Sequence, residues 1–484
     1  MEFIITITCI IAIAARFWIG NRRRELFLIL MLSLFVIHIV IQGIRWQMYL
    51  VYLFIAFELV VFIINRLGKG PKRNKEKRNW KSILWILGLI ISLILIILFP
   101  YNHIEKPSGS YEVGTFSMDI VDENRIEIYG DTIGEPRKIR IQLWYPTDST
   151  DGLDRAKWLN DGVKVASGIP SFAGMPGFLL RYTARIDSNS YLYATLSDDK
   201  SNYPIIVVSH GWFGFRNIHT DFCEMLASNG YIVASIDHTY GSLATVFNDG
   251  TVKKVDPNAL PDASTVDDFS AYSNKLVTTY ALDAELTINT IEKLAAGQVR
   301  LDNYTNTKDL NKLEDTSGFS GMFEGRINID MIGAIGHSTG GGGITQLAMI
   351  DDRMDAVFGF DPWVEPIEEN LLNQGLSTPS IFISSEQWQN HANRKYLKII
   401  ADSDKTVTKM YQLNGTSHKD FTMMYMFEPI SRIIGMSGTI DSSRSIEIQK
   451  DFLLQFFDHY LLGKDNELNI LADKYDEIVE TDYK

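Results

Sequence analysis

The sequence predicts a mostly parallel α/β sheet with helices on both faces, preceded by a module of about four membrane-crossing helices. Three observations predict it. The first hundred residues carry four apolar runs of spanning length. From Ser110 onward, strand-like apolar runs alternate with helical ones. Charge divides the chain at the same place. Residues 1–100 hold 13 Lys/Arg and 4 Asp/Glu, near +9, whereas the rest of the 484-residue chain holds 33 and 55, near −22. Such asymmetry separates a membrane part from a water-facing part.

Composition excludes several classes. Cys9 and Cys223 are the only cysteines, which rules out a disulfide framework, a four-cysteine zinc site and a cysteine-ligated cluster. A net charge of −13 makes nucleic acid a poor partner. No motif calls for a metal or organic cofactor. Oligomeric state is not encoded in any pattern we recognise.

The apolar runs are Phe3–Ala15, Leu26–Ile44, Tyr49–Ile64 and Ile83–Leu98. With flanks they predict helices over about 3–20, 26–44, 47–65 and 82–100, a module of residues 1–100. Arg16 cuts into the first, which invites a cleaved signal peptide as the rival reading. A signal peptide needs a basic stretch before its apolar core. Here Glu2 is the only early charge, and Arg22, Arg23 and Arg24 follow the run. A retained helix is the better reading. Basic residues crowd the first loop (Arg22–Arg24) and the third (Arg66, Lys69, Lys72, Arg73, Lys75, Lys77, Arg78 and Lys81), while the second holds Arg45 alone. By the positive-inside rule loops one and three are cytoplasmic, and everything after Pro100 lies outside. The paucity of cysteine argues against a eukaryotic secretory lumen and fits a bacterial cell membrane. His38 and Glu58 fall inside runs two and three. Intramembrane polar groups invite a functional reading, but no dense series of charges marks a transport path, and a bundle-holding role is preferred.

Residues 101–465 predict one α/β domain, and 466–484 a polar tail that ends the fold. Strands are expected at Lys138–Tyr145, Tyr203–Ser209, Tyr231–Ile236, Ile327–Ile335, Met354–Phe360, Pro379–Ile383 and Val407–Leu413. Helices are expected at Asp221–Asn229, Asp267–Ala296 and Ser443–Leu462. Tyr203–Ser209 is apolar throughout, as a strand buried on both faces requires. The stretch Ile169–Leu180, apolar with two prolines and two glycines, reads as either a pocket wall or a lid that docks on a membrane.

The chemistry gathers at Gly336-His337-Ser338-Thr339-Gly340. A buried strand precedes this G-x-S-x-G pentapeptide, and a glycine run opening a helix follows it. That is the strand–elbow–helix context of an α/β-hydrolase nucleophile. A serine hydroxyl needs a base to take its proton, and an acid to orient the base. In this fold both follow the serine, acid first. His391, His418 and His459 come after Ser338. His418 sits in a loop just after a strand, where catalytic loops belong. For the acid, Asp361 and Glu386 both end strands and both remain acceptable, with Asp361 ahead. An oxyanion hole needs two backbone N–H groups. Thr339, next to the nucleophile, supplies one. Trp212, in Ser209-His210-Gly211-Trp212 after an earlier strand, supplies the other. His210 and His238 read as loop-stabilising. Trp212, Phe213 and Trp363 are the candidate substrate contacts.

The stretch from Ser209 through Arg216 (SHGWFGFR) resembles that of platelet-activating factor acetylhydrolases. The similarity continues through Leu226–Ala234, Asp237-His238, Ile335–Gly341, Asp361-Pro362-Trp363, Ser385-Glu386 and Gly415–Phe421, in the same order, over roughly residues 110–465. It implies Ser338 as nucleophile, Asp361 as acid and His418 as base, with Trp212 and Thr339 as oxyanion donors. It also implies calcium-independent hydrolysis of short or oxidised acyl esters. Thr339 stands where an aromatic is common in the animal enzymes, and Trp212 where a leucine is; both positions touch the acyl pocket, so acyl preference does not follow from the resemblance. The helical module is absent from the soluble animal enzymes. The expectation is therefore a membrane-anchored serine ester hydrolase acting on an ester or lipid substrate. An acyltransferase with the same triad, or a membrane sensor carrying an inactive hydrolase-like domain, are the alternatives.

Overall fold

A computed structural model describes residues 1–15, 21–68, 75–301, 317–388, 391–403, 405–465 and 468–481. The N-terminal module contains helices α1 (Glu2–Ala15), α2 (Asn21–Ile41), α3 (Tyr49–Arg66) and α4 (Lys75–Leu98). Three segments, Arg24–Ile41, Trp46–Arg66 and Trp80–Leu98, are long and apolar enough to cross a membrane. Among the described residues the first helix is shorter. Its 14 residues reach about 21 Å at 1.5 Å per residue, against about 30 Å of hydrocarbon. Its expected continuation to residue 20 lies outside the described residues.

The module packs through Ile5, Cys9, Ile13, Met31, Val51, Phe54 and Leu89. His38 is wholly buried. Its Nδ1 lies 3.0 Å from Gln42 Oε1 and its Nε2 2.7 Å from Tyr52 Oη, tying α2 to α3. Glu58 is half-buried on α3. Arg45 is not an open loop charge. It is buried, 2.6 Å from Glu2 Oε2, and donates to the Phe99 carbonyl. A buried guanidinium needs such partners. The result brings the start of α1 and the end of α4 to one end of the module.

The sheet that follows uses eleven of the thirteen described strands. These are β1 (Glu112–Ile126), β2 (Pro136–Thr147), β3 (Arg155–Lys157), β4 (Asp187–Leu192), β5 (Tyr203–Ser209), β6 (Ile232–Asp237), β7 (Ala244–Val246), β8 (Val252–Lys254), β9 (Ile327–His337), β10 (Ala356–Phe360), β11 (Ser380–Ser385), β12 (Thr408–Leu413) and β13 (Ile478–Glu480). Their order is β13-β12-β11-β10-β9-β5-β6-β2-β1-β4-β3, with β7 and β8 a separate hairpin. The six from β12 to β6 are parallel. They are flanked by α5 (Thr220–Ser228), α6 (Phe269–Ala295), α7 (Thr339–Ile350), α8 (His391–Ser403) and α9 (Ser442–Tyr460). Alternation along β5 sorts its residues between two cores. Ile205 and Val207 join Val277 and Ala281 of α6 and Ile344 of α7. Ile206 and Val208 join Phe222 of α5 and Phe452 of α9.

One strand was not read from the sequence, and one expectation is corrected. The long strand β1 pairs along nearly the whole of β2, yet its far end is exposed and polar, so its sequence lacks a sustained apolar signal. The fold also does not end near residue 465. Strand β13 adds antiparallel to β12, with Leu468, Tyr475 and Ile478 buried. A three-residue edge strand between polar neighbours leaves no periodicity to read. Ile169–Leu180 folds into short 3₁₀ turns, Ile169–Ala173 and Gly177–Arg185. Pro170 and Pro176 supply no N–H for a longer helix there.

Candidate active site

Ser338 occupies the single residue between β9 and α7, with φ 55° and ψ −121°. A non-glycine residue persists there only when its surroundings hold it. The surroundings do so through three hydrogen bonds. Ser338 N–H donates to Phe360 O at 3.0 Å, and its carbonyl accepts from the N–H groups of Gly342 (3.0 Å) and Trp363 (2.9 Å). The turn is tight enough that a Cβ on Gly340 would stand 2.2 Å from Ser209 O. Only glycine fits at that position.

The acid and the histidine meet one strand further along. Asp361 leaves the end of β10 with φ 41° and is fully buried. Its Oδ1 accepts from Ser385 N–H (2.7 Å). Its Oδ2 accepts from Ser385 Oγ–H (2.6 Å) and lies 2.9 Å from His418 Nδ1. A carboxylate only accepts, so the His418 proton sits on Nδ1 and the lone pair on Nε2. Glu386, the rival, points elsewhere. It is exposed, and its Oε2 accepts from Gly415 N–H at 2.6 Å, tethering the turn that precedes His418. His418 opens a 3₁₀ turn capped reciprocally by Ser417 and Asp420. Its side chain is 21% exposed. His391 begins α8 and His459 lies on α9, where its Nδ1 meets Lys464 O at 2.8 Å.

Loop Ser209–Phe213 runs directly against the serine. A Cβ on Gly211 would stand 2.8 Å from Ser338 Cβ. Trp212 follows at once, and Phe213 has φ 62°. Thr339 begins α7, whose first N–H groups have no intrahelical acceptor. The two N–H groups expected to act together thus come from segments in contact. His210 and His238 brace this loop from below. His210 Nδ1–H donates to Gly211 O (2.7 Å), leaving Nε2 to accept from Ser242 Oγ–H (2.8 Å). His238 Nδ1–H donates to Asp283 (3.0 Å), leaving Nε2 to accept from Ser209 Oγ–H (2.8 Å). Burial holds both rings below the usual histidine range.

A cleft opens beside this loop. Trp212 and Phe213 line it. Trp363 does not. Its ring faces Phe269, and its backbone N–H serves Ser338. The other lining groups are mainly apolar and come from the 169–180 turns, the 422–436 segment, and Phe99, Phe215, Ile218 and Leu243. Lys419 is an exception, with burial pushing its amine down to about 8.

Sequence reasoning missed three supports. Ser385 gives both its donors to Asp361. His337 donates from Nε2 to His418 O at 3.0 Å and lays its ring 4.5 Å from the His418 ring. Trp388 faces the same ring at 4.8 Å. Ser385 alone left a signal, because it ends the strand beside β10 and reaches the same sheet edge as Asp361.

Comparison with known proteins places the chain. Residues 96–482 match the family model described as platelet-activating factor acetylhydrolase, isoform II. The platelet-activating factor acetylhydrolase of Canis lupus familiaris is 26% identical over 395 residues, covering 78% of this chain and 81% of that protein. The Bos taurus protein of the same name is 27% identical over 420 residues, 83% and 85% of the two chains. Among solved structures, a ferulic acid esterase from Streptomyces cinnamoneus superposes with a TM-score of 0.58 at 18% identity, over 79% of this chain and 99% of that one. The chain belongs to the platelet-activating factor acetylhydrolase isoform II family.

Proposed function

We propose that this member of the family is a membrane-anchored serine ester hydrolase, with Ser338 as nucleophile, His418 as general base and Asp361 as the acid that orients it. The observation that carries the reading is the Asp361–His418 hydrogen bond, made beside a serine held in a strained elbow. His418 Nε2, bearing the lone pair, takes the proton as Ser338 Oγ attacks the ester carbonyl. The N–H groups of Trp212 and Thr339 receive the developing oxyanion. Collapse expels the alcohol, which takes the proton back from His418. Water, deprotonated by the same ring, then releases the acid from the acyl-enzyme. Asp361 keeps the imidazole in the productive tautomer and stabilises its cation. None of these steps calls on a metal.

Family membership and the relatives' names favour short or oxidised acyl esters of lipids as substrates. Three spanning-length helices favour a membrane location for residues 1–100. The basic first and third loops favour a catalytic domain outside the cytoplasm. The pairing of Arg45 with Glu2 and Phe99 O gathers residues 2, 45 and 99 at the end that leads into the domain, as alternating spans require.

The test is hydrolysis of p-nitrophenyl esters, from acetate to long-chain, by the purified full chain and its Ser338→Ala variant, with fluorophosphonate labelling alongside. Turnover and labelling that vanish together in the variant support the assignment. A folded wild-type chain showing neither overturns it.

A further inference from the structure

We propose that the membrane module is itself a wall of the substrate site, so that the ester reaches Ser338 from the bilayer rather than from water. This rests on the hydrolase reading above. The occupant is a bilayer-resident lipid ester whose hydrocarbon chain lies against the apolar lining of the cleft.

The cleft joins two parts of the molecule that the sequence keeps apart. Its lining includes Gly211, Trp212 and His337, which flank the nucleophile. It also includes Phe99, the residue immediately after the apolar segment Trp80–Leu98. The catalytic loops and the end of a membrane-crossing helix therefore share one apolar space.

The joint around Phe99 is built rather than incidental. The Trp46 ring packs edge-on against Phe99 at 5.2 Å and against Phe178 at 5.5 Å. Its Nε1–H donates to Leu179 O at 3.0 Å. Tyr101 Oη–H donates to Arg185 O (2.9 Å) and Asn102 Nδ2–H to Met426 O (3.1 Å). The buried Arg45 guanidinium lies 4.3 Å over the Tyr182 ring. The Trp46 and Arg45 contacts fix segment 169–185 to the module, and Trp46, Leu95 and Leu98 pack against the cluster that also holds Met423 and Met426 of segment 422–436.

The rim points the same way. Phe178, Ile433 and Ile434 are 46%, 66% and 41% exposed, and Ile434 also lines the cleft. Large exposed apolar side chains around a pocket mouth, continuous with membrane-crossing helices, match an acyl-chain environment better than water. A substrate entering there exchanges hydrocarbon for an apolar wall and loses little solvation. A soluble ester gains nothing from that wall beyond its own short chain.

The experiment uses the full chain reconstituted in phosphatidylcholine–phosphatidylglycerol vesicles. One substrate is a fluorogenic lipid ester in the vesicle, and the other is p-nitrophenyl acetate added in water. Fluorophosphonate labelling counts competent molecules in each preparation. Phe99→Ala removes the wall, and Ile434→Asp charges the rim at an exposed position where folding is spared. Either variant is expected to lower the ratio of kcat/KM for the lipid ester to that for acetate by about tenfold, the loss expected of one apolar contact. A ratio that stays at the wild-type value in both variants overturns the proposal. A wild-type chain that neither turns over nor labels overturns the hydrolase reading, and this inference with it.

Discussion

The candidate active site joins two walls built on opposite principles, a catalytic edge around Ser338 and the lining of the adjoining cleft. One is polar and stands on the ends of long parallel strands. Ser338 and Asp361 leave β9 and β10 with positive φ, and each is held by several hydrogen bonds. The other is apolar and stands on short turns and a helix end, with Ile169, Leu180, Ile430 and Phe99 drawn from distant parts of the chain. The first wall specifies atoms, since each position demands a particular donor, acceptor or backbone angle. The second specifies only volume and hydrophobicity, which many side chains satisfy. On the proposed reading, chemistry falls on the rigid part and substrate choice on the part that tolerates change.

If that division holds, substitutions on the polar wall have the largest effects. Ser338→Ala is expected to lower kcat on a p-nitrophenyl ester on the order of 10⁵-fold or more. Asp361→Asn is expected to cost about 10⁴-fold, because an amide can donate to His418 and stabilise the wrong tautomer. Steady-state kinetics checks both. Glu386→Gln sharpens the comparison. Glutamine keeps an acceptor for Gly415 N–H, so the expected loss in kcat is less than about tenfold, with stability falling by about 1 kcal/mol or less. A loss as large as that of Asp361→Asn would reverse the roles of the two carboxylates.

The same division explains what could be read from the sequence. Gly336–Gly340 announced the elbow because strain and close approach demand glycine and serine at set spacing. Residue reading alone left Asp361 and Glu386 open, since both end strands at one sheet edge. Their choice depends on direction, which the positive φ at Asp361 sets and no pattern encodes. The parallel strands were legible because burial on both faces makes them continuously apolar. Strand β13 was not, because three residues carry no period. Nor was the role of Phe99 visible, because a phenylalanine closing a membrane run looks like the end of a span. Arg45 was counted as a loop charge, and only folding reveals that it is buried and paired.

The smallest expected effect lies where the walls meet. Ile218 lines the cleft, while the next residue, His219, turns its ring into the core and stacks on Phe222 at 5.8 Å. Among the described residues neither His219 ring nitrogen has a hydrogen-bond partner. Burial pushes its pKa down to about 3, so the folded chain holds it neutral. The unfolded chain takes up a proton below about 6.5. The neutral ring therefore costs nothing in linkage above that pH, and stability is lost as pH falls from about 6.5 toward 3, by up to about 1.4 kcal/mol per pH unit. His219→Phe keeps the stack and removes the titration. Thermal unfolding of the full chain in detergent, followed from pH 7.5 to 5.5, should show a shallower decline in Tm for the variant. The decline should not vanish, because burial also holds His210, His238 and His337 below the usual range. Turnover at pH 7.5 should change by less than about threefold, since His219 reaches the His337 ring only edge-on, at 5.9 Å. A larger kinetic effect would mean that the polar wall extends beneath the cleft as far as His219. An unchanged pH slope would mean that the ring is already protonated in the fold.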